Sequence, residues 1–135
     1  MVFMANEEAS AQGFIFSATG SRYVSEALQS AHRLREINSA VNVVLFTDAA
    51  IDDDPFSDVF ILDDPNHDFA DKIRGIIRSP FKKSIFLDSD TYPVRPVDEI
   101  FDLLDSFDIA AAHAPKRVSP EETVQWKGYR AHGVP

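Results

Sequence analysis

Cysteine is absent from the chain of 135 residues. Its absence excludes disulfide bonds and thiolate metal sites, and it fits a reducing compartment. The chain also lacks a long apolar run, and its opening stretch, MVFMANEEAS, carries acidic residues. We therefore expect neither a signal peptide nor a membrane span, and the sequence predicts a cytoplasmic protein.

Positive charge is scarce as well. Lysine and arginine total 13 residues against 22 acidic residues, which gives a formal net charge of −9. An acidic surface of this kind repels nucleic acids and anionic membranes, so we expect neither as a partner. If such a protein binds phosphate groups, it needs a metal cation or a few local bases to do so. The length suits one domain and leaves no room for a second full one.

Short apolar runs alternate with segments in which apolar residues recur at helical spacing. One such segment follows residue 20, and a third starts at Pro96, which suits a first helical position. The second has four apolar residues on one face: Phe69, Ile73, Ile76 and Ile77. Strands separated by helices predict an α/β fold, a Rossmann-like and mostly parallel sheet with helices on both faces. The predicted strands are residues 13–19, 41–48, 58–62, 84–88 and 107–114.

This alternation covers only part of the chain. It predicts an N-terminal tail over residues 1–12, an α/β domain over residues 13–114 and an irregular loop or tail over residues 115–135. The last segment mixes charges, prolines and aromatic residues without a sustained period. We see no internal repeat, so the domain is not a stack of similar units.

Two acids stand directly after the apolar end of the fourth predicted strand. Asp88 and Asp90 would lie at the carboxyl end of the sheet, where open α/β sheets bind ligands. In an extended chain the two side chains point to the same side and Ser89 points away. Carboxylates so close are tolerated when a divalent cation offsets their repulsion, and oxygen ligands suit Mg²⁺ or Mn²⁺. The alternative is that both acids are solvated turn residues.

The segment SIFLDSDTYPVRPVDEIFD resembles a motif of nucleotide-sugar glycosyltransferases with the glycosyltransferase A fold: an apolar strand, D-x-D, threonine and a proline-initiated acidic helix. It is most similar to the group that contains glycogenin, galactinol synthase and bacterial lipopolysaccharide sugar transferases. Two further features agree in order and spacing. FIFSATGSRYVSEALQSAHRL resembles the first strand and helix of that family, and Lys72 lies sixteen positions before Asp88, as the nucleotide-binding lysine of the family does before its first acid.

This resemblance implies a metal-dependent glycosyltransferase that takes a sugar from a nucleoside diphosphate, UDP above all, and transfers it to an unknown saccharide, lipid or protein acceptor. It implies that Asp88 and Asp90 hold Mn²⁺ or Mg²⁺, which stabilises the departing diphosphate. Tyr23 would stack on the base. The implied nucleotide-sugar-binding residues are Ser17, Thr19, Gly20, Tyr23, Lys72, Asp88, Ser89 and Asp90.

The sequence also departs from this family. The matched enzymes continue past the fifth strand with an F-N-[ST]-G-V segment and, later, with a histidine that completes the metal site. We find neither feature, so we expect the chain to represent the donor-binding half of the fold. Truncation, a minimal relative and an assembly that supplies the rest are the three interpretations. A half-fold would expose a sheet edge or an apolar face, which favours self-association. No catalytic residue can be assigned from these segments.

Two alternatives of other classes stay open. FLDSDT also resembles the nucleophile strand of haloacid dehalogenase-type phosphatases, but that family prefers threonine or valine four positions after the first acid, where this chain has Tyr92. A non-catalytic nucleotide-binding module is the second alternative. A dinucleotide site is disfavoured because SATGSRY lacks the G-x-G-x-x-G pattern. Four weaker polar candidates are Asp48, His113, Lys116 and Arg117.

Overall fold

The computed structural model of the protein describes residues 10–38, 40–51 and 55–112. These residues form four strands, two α-helices and one 3₁₀ helix. Among them, no helix has both the length and the apolar character needed to cross a membrane. The strands are β1 (Ser10–Ala18), β2 (Val43–Thr47), β3 (Asp58–Ile61) and β4 (Phe81–Phe86), the helices are α1 (Ser21–Ile37) and α2 (Phe69–Ile77), and the 3₁₀ helix is Asp98–Asp105.

The four strands make one parallel sheet in the order β3-β2-β1-β4. Near the end of the sheet, Ala18 of β1 pairs with Thr47 of β2, and Thr47 pairs with Ile61 of β3. The carboxyl ends of these strands therefore lie side by side. This architecture confirms the predicted α/β fold with a parallel sheet.

One face of the sheet is covered by α1 and the 3₁₀ helix. Phe14 and Phe16 of β1 point to this face, where Phe14 makes an edge contact with Phe101 at 5.3 Å between ring centroids and Phe16 makes one with Phe56 at 6.1 Å. The helix α1 forms because its small and apolar residues recur every three or four positions. Its buried apolar residues are Val24, Ala27, Ala31 and Leu34.

The opposite face is covered by α2, which confirms helices on both faces. The helix comes unusually close to the sheet at Gly75. A Cβ atom at this position would lie 2.9 Å from the Cβ of Ser17 and 3.3 Å from a ring carbon of Phe46, so only glycine fits without a shift. This approach places the first turn of α2 beside the carboxyl end of β1.

The buried side of α2 differs from the sequence prediction. The predicted apolar face holds Phe69, Ile73, Ile76 and Ile77. Ile76 is half-buried, but the other three side chains are exposed, and the fully buried residues of the helix are Asp71 and Gly75. The physical reason is steric, because the helix packs closest where its side chain is smallest. Most of the apolar residues of α2 therefore lie on a surface that is exposed to solvent in the described part of the chain.

The strand bounds also differ in places. β1 begins at Ser10, inside the predicted tail, and β4 ends at Phe86, before the two acids. No strand forms over residues 107–112. Every residue there is exposed, so strand pairing would gain no stabilisation from side-chain burial. The rest of the predicted fifth strand and the segment 115–135 lie outside the described residues, as do residues 1–9.

Candidate functional site

A cleft with a volume of about 360 Å³ opens beyond the carboxyl end of β1, beside the first turns of α1 and α2. This is the part of a parallel α/β sheet where ligands usually bind, and the volume suits a small molecule. Polar and aromatic side chains from several elements meet here. The lining residues include Ser17, Thr19, Tyr23, His67, Phe69, Asp71, Lys72 and Ser89.

The turn from β1 into α1 forms one wall of the cleft. Gly20 has a φ of 89°, a backbone conformation that glycine adopts without steric cost. Its N–H donates to the Asp48 carboxylate at 3.0 Å, which fixes the start of α1. Tyr23, in the first turn of that helix, is half exposed on the cleft, and the Arg22 guanidinium lies 5.7 Å from its ring centroid. The flat Tyr23 ring is therefore accessible to a ligand.

Asp71 lies at the floor of the cleft with 2% of its surface exposed. Its carboxylate accepts hydrogen bonds from the backbone N–H groups of Asn66 (3.1 Å) and His67 (2.7 Å) and from the Thr19 hydroxyl (3.1 Å), and the Arg74 guanidinium lies 3.4 Å away. Burial alone raises the pKa of Asp71, but these donors and the Arg74 charge favour the ionised form and lower the pKa below its usual value. Asp71 is therefore an ionised anchor.

The Asp71 anchor joins three segments of the site. The Ser17 hydroxyl donates to the Asp71 backbone oxygen at 2.9 Å, while the carboxylate holds Thr19 and the loop before α2. Sequence reasoning missed this residue. The available signal was the spacing Asp68-x-x-Asp71, because Asp68 caps the helix by accepting from Ala70 N–H, and an acid three residues later commonly bonds back to the chain before the helix.

The structure brings Lys72 and Asp88, two residues that the sequence resemblance assigns to the nucleotide sugar, into direct contact. Lys72 lines the cleft, and its ammonium donates to the Asp88 carboxylate in an ion pair. The same ammonium lies 5.1 Å from the ring centroid of Phe69, at the other end of the first turn of α2. A cationic side chain thus lies between an aromatic ring and a carboxylate.

The turn after β4 places the D-x-D acids differently from the predicted alternation. Because β4 ends at Phe86 and Thr91 N–H bonds back to the Asp88 carbonyl at 2.9 Å, residues 88–91 turn instead of continuing as a strand. Ser89 is buried, lines the cleft and donates to the Glu26 carboxylate of α1 at 3.4 Å. The expectation that Ser89 points away from the ligand side was wrong, since it assumed an extended chain.

The two acids of the motif remain accessible. Asp88 and Asp90 are both exposed, Asp88 beside Lys72. Within the described ranges there is no cluster of three or more potential metal ligands. Mg²⁺ is usually held by one or two carboxylates together with substrate phosphates and water, so the two acids fit a cation that arrives with a diphosphate. The predicted metal role of these residues remains a prediction.

The weaker candidates fall into two groups. Asp48 accepts from Gly20 N–H, and His67 Nδ1 lies 3.9 Å from the same carboxylate oxygen, so Asp48 supports the turn that carries the cleft wall. His113, Lys116 and Arg117 lie outside the described residues.

Comparison with models of known protein families gives a match. The model of the family Mannosyl_trans3, described as "Mannosyltransferase putative", matches residues 21–107. The match covers more than half of the chain and includes Tyr23, Lys72 and both acids of the D-x-D motif, while Ser17 and Thr19 precede it. No curated protein matches the chain.

Proposed function

The chain belongs to this family of glycosyltransferases, and from that premise we propose that it binds a nucleoside-diphosphate sugar in the cleft beyond β1 as the donor of a sugar-transfer reaction. The family confirms the predicted glycosyltransferase class. The finer likeness to glycogenin and galactinol synthase remains a prediction. The match also favours sugar transfer over the phosphatase alternative.

One observation carries the proposal: residues from three distant segments line the same cleft. Thr19 and Tyr23 come from the β1–α1 turn, Lys72 from α2, and Ser89 from the turn after β4. The family resemblance of the sequence implied each of them separately as a nucleotide contact. Their convergence at the carboxyl edge of a parallel sheet is the arrangement that a nucleotide site requires.

The residues divide into three roles. We assign the base and ribose to the wall formed by Ser17, Thr19, Gly20 and Tyr23, with the Tyr23 ring stacked on the base. The Thr19 hydroxyl donates a hydrogen bond to the Asp71 carboxylate, so its oxygen can still accept a hydrogen bond from the ligand. Lys72 is assigned to the diphosphate, because its ammonium can exchange the Asp88 carboxylate for phosphate oxygens without leaving the cleft.

Asp88 and Asp90 are assigned to Mn²⁺ or Mg²⁺. Such a cation, when bound, acts as a Lewis acid toward the departing diphosphate. The turn over residues 88–91 positions the two acids, and the Ser89–Glu26 hydrogen bond ties that turn to α1. The acids are thereby attached to the helix that carries Tyr23.

The transferred sugar and the base are the finer parts of the proposal. The family description names mannosyl transfer, so we propose a mannosyl donor. The sequence resemblance favours UDP as the nucleotide, and comparison of UDP with GDP tests that choice. The acceptor is a saccharide, a lipid or a protein.

Calorimetric titration of the full chain with UDP and with GDP, each with and without Mn²⁺, tests the proposal. We expect one of them to bind, with an affinity that rises at least about tenfold when Mn²⁺ is present, because the cation links diphosphate and carboxylates. The double variant Asp88→Ala, Asp90→Ala should lose this metal dependence. Asp102→Ala removes an exposed acid of the 3₁₀ helix and serves as the matched control.

Absence of binding to both nucleotides, or unchanged metal-dependent binding by the double variant, would contradict the proposal. Metal-dependent binding without hydrolysis of, or transfer from, a UDP- or GDP-mannose donor would instead support the non-catalytic binding module.

A further inference from the structure

Phe69 is the most exposed aromatic side chain on the cleft. It is the first residue of α2, its surface is 76% exposed, and it lines the same cleft as Tyr23. A ring this exposed gains little from core packing, although it lies in a concave site. Its position is explained if a ligand covers it.

The surroundings of Phe69 indicate which part of a ligand it would contact. The Lys72 ammonium lies 5.1 Å from its ring centroid, and the same ammonium pairs with Asp88. Ring, cation and carboxylate therefore follow one another toward the turn after β4. A nucleoside diphosphate bound with its metal presents a matching series of groups: an aromatic base, an anionic diphosphate and a divalent cation.

We propose that Phe69 forms a second aromatic surface for the donor's nucleobase, in addition to Tyr23. This inference rests on the proposed function, because it assumes a nucleotide in the cleft. Stacking on an aromatic ring tolerates every base, since each base has a π-face. Phe69 therefore contributes affinity for the base, whereas Lys72 contributes affinity for the diphosphate.

Calorimetry on Phe69→Ala, in the full chain with Mn²⁺, separates these contributions. We expect the Kd for the nucleoside diphosphate that the wild type binds, UDP or GDP, to rise about tenfold. The Kd for inorganic pyrophosphate should change less than about twofold, because pyrophosphate has no base. Phe69→Trp should restore nucleotide affinity, since it keeps an aromatic face.

Ile73 provides the matched control. It is exposed one turn further along α2, on the same apolar stripe, but is not among the residues that line the cleft. Ile73→Ala should leave both affinities unchanged. Thermal melting monitored by circular dichroism establishes that the variants are folded.

Three results would overturn the inference alone, given nucleotide binding by the wild type. They are unchanged nucleotide affinity in Phe69→Ala, an equal loss of pyrophosphate and nucleotide affinity, and an equal effect of Ile73→Ala. Failure of the wild type to bind either nucleotide would overturn the proposed function and this inference together.

Discussion

The cleft beyond β1 and a second hollow, the β4 groove, differ in how they are built. The β4 groove has a volume of about 650 Å³ and a mainly apolar wall that includes Phe86, Leu87 and Ile100. The cleft is smaller, and its floor is the hydrogen-bonded Asp71 carboxylate. Both hollows have mainly apolar walls, and the cleft differs in having a fixed, ionised carboxylate at its floor, which can hold polar groups in place to orient a ligand. The comparison explains why the cleft is the candidate donor site.

The two regions meet at one ion pair. Lys72 lines the cleft, and its partner Asp88 lines the β4 groove. In the described sheet β4 is an edge strand, so the groove follows an open edge. The predicted self-association would use such a surface and remains a prediction.

The largest expected effect comes from removing the cleft floor. Asp71→Ala removes the buried carboxylate that accepts from Asn66 N–H, His67 N–H and the Thr19 hydroxyl, and we expect a loss of about 3 kcal/mol in the free energy of unfolding. Nucleotide binding should fall below detection because Thr19 loses its hydrogen-bond partner. Urea denaturation and calorimetry measure the two effects, with Asp102→Ala as the control. A stability change under about 0.5 kcal/mol would contradict the anchoring role.

The pH dependence of the free energy of unfolding tests the role of Asp71 further. Folding lowers the pKa of Asp71, so its stabilising contribution is present above the unfolded pKa of about 4 and is lost as the pH falls through the lower folded value. The stability difference between the wild type and Asp71→Ala should therefore shrink below about pH 4. Urea denaturation at several pH values measures this stability difference. A difference that grows on acidification would contradict the anchoring role of Asp71.

An intermediate effect is expected at the boundary of the two regions. Lys72→Met removes the cation assigned to the diphosphate and should weaken binding of both the nucleotide and pyrophosphate about tenfold. Stability should change by less than about 1 kcal/mol, because the ion pair is partly exposed. Lys82→Met, on the exposed side of β4, is the matched control for calorimetry. Equal effects of the two substitutions would contradict a specific role of Lys72.

The smallest effect is expected in the β4 groove. Ile100 lines this groove and is 40% exposed, so Ile100→Ala should cost less than about 1 kcal/mol and leave nucleotide affinity unchanged. Parallel calorimetry and thermal melting check both expectations. Loss of nucleotide affinity in this variant would show that the two regions are coupled. It would contradict the assignment of nucleotide binding to the cleft alone.

Local pattern was enough to predict much of the fold. The apolar runs and helical periods predicted the four observed strands and both α-helices, because alternation and 3.6-residue spacing are properties of the chain itself. The sequence resemblance assigned Lys72 and Asp88 to the same ligand but did not predict the ion pair that joins them. The sequence could not predict that β4 ends before Asp88, since turn geometry depends on contacts such as the Ser89–Glu26 hydrogen bond.

By itself the sequence determined the order of strands and helices, the parallel sheet that follows from it, and the residues gathered at its carboxyl edge. Tertiary structure alone decided which side of α2 is buried. Gly75 lets that helix lie against Ser17 and Phe46, which buries Asp71 and turns Phe69 toward solvent. The physical reason is that side-chain size at the closest contact limits how near a helix can lie to a sheet, and the apolar period of the sequence does not specify that contact.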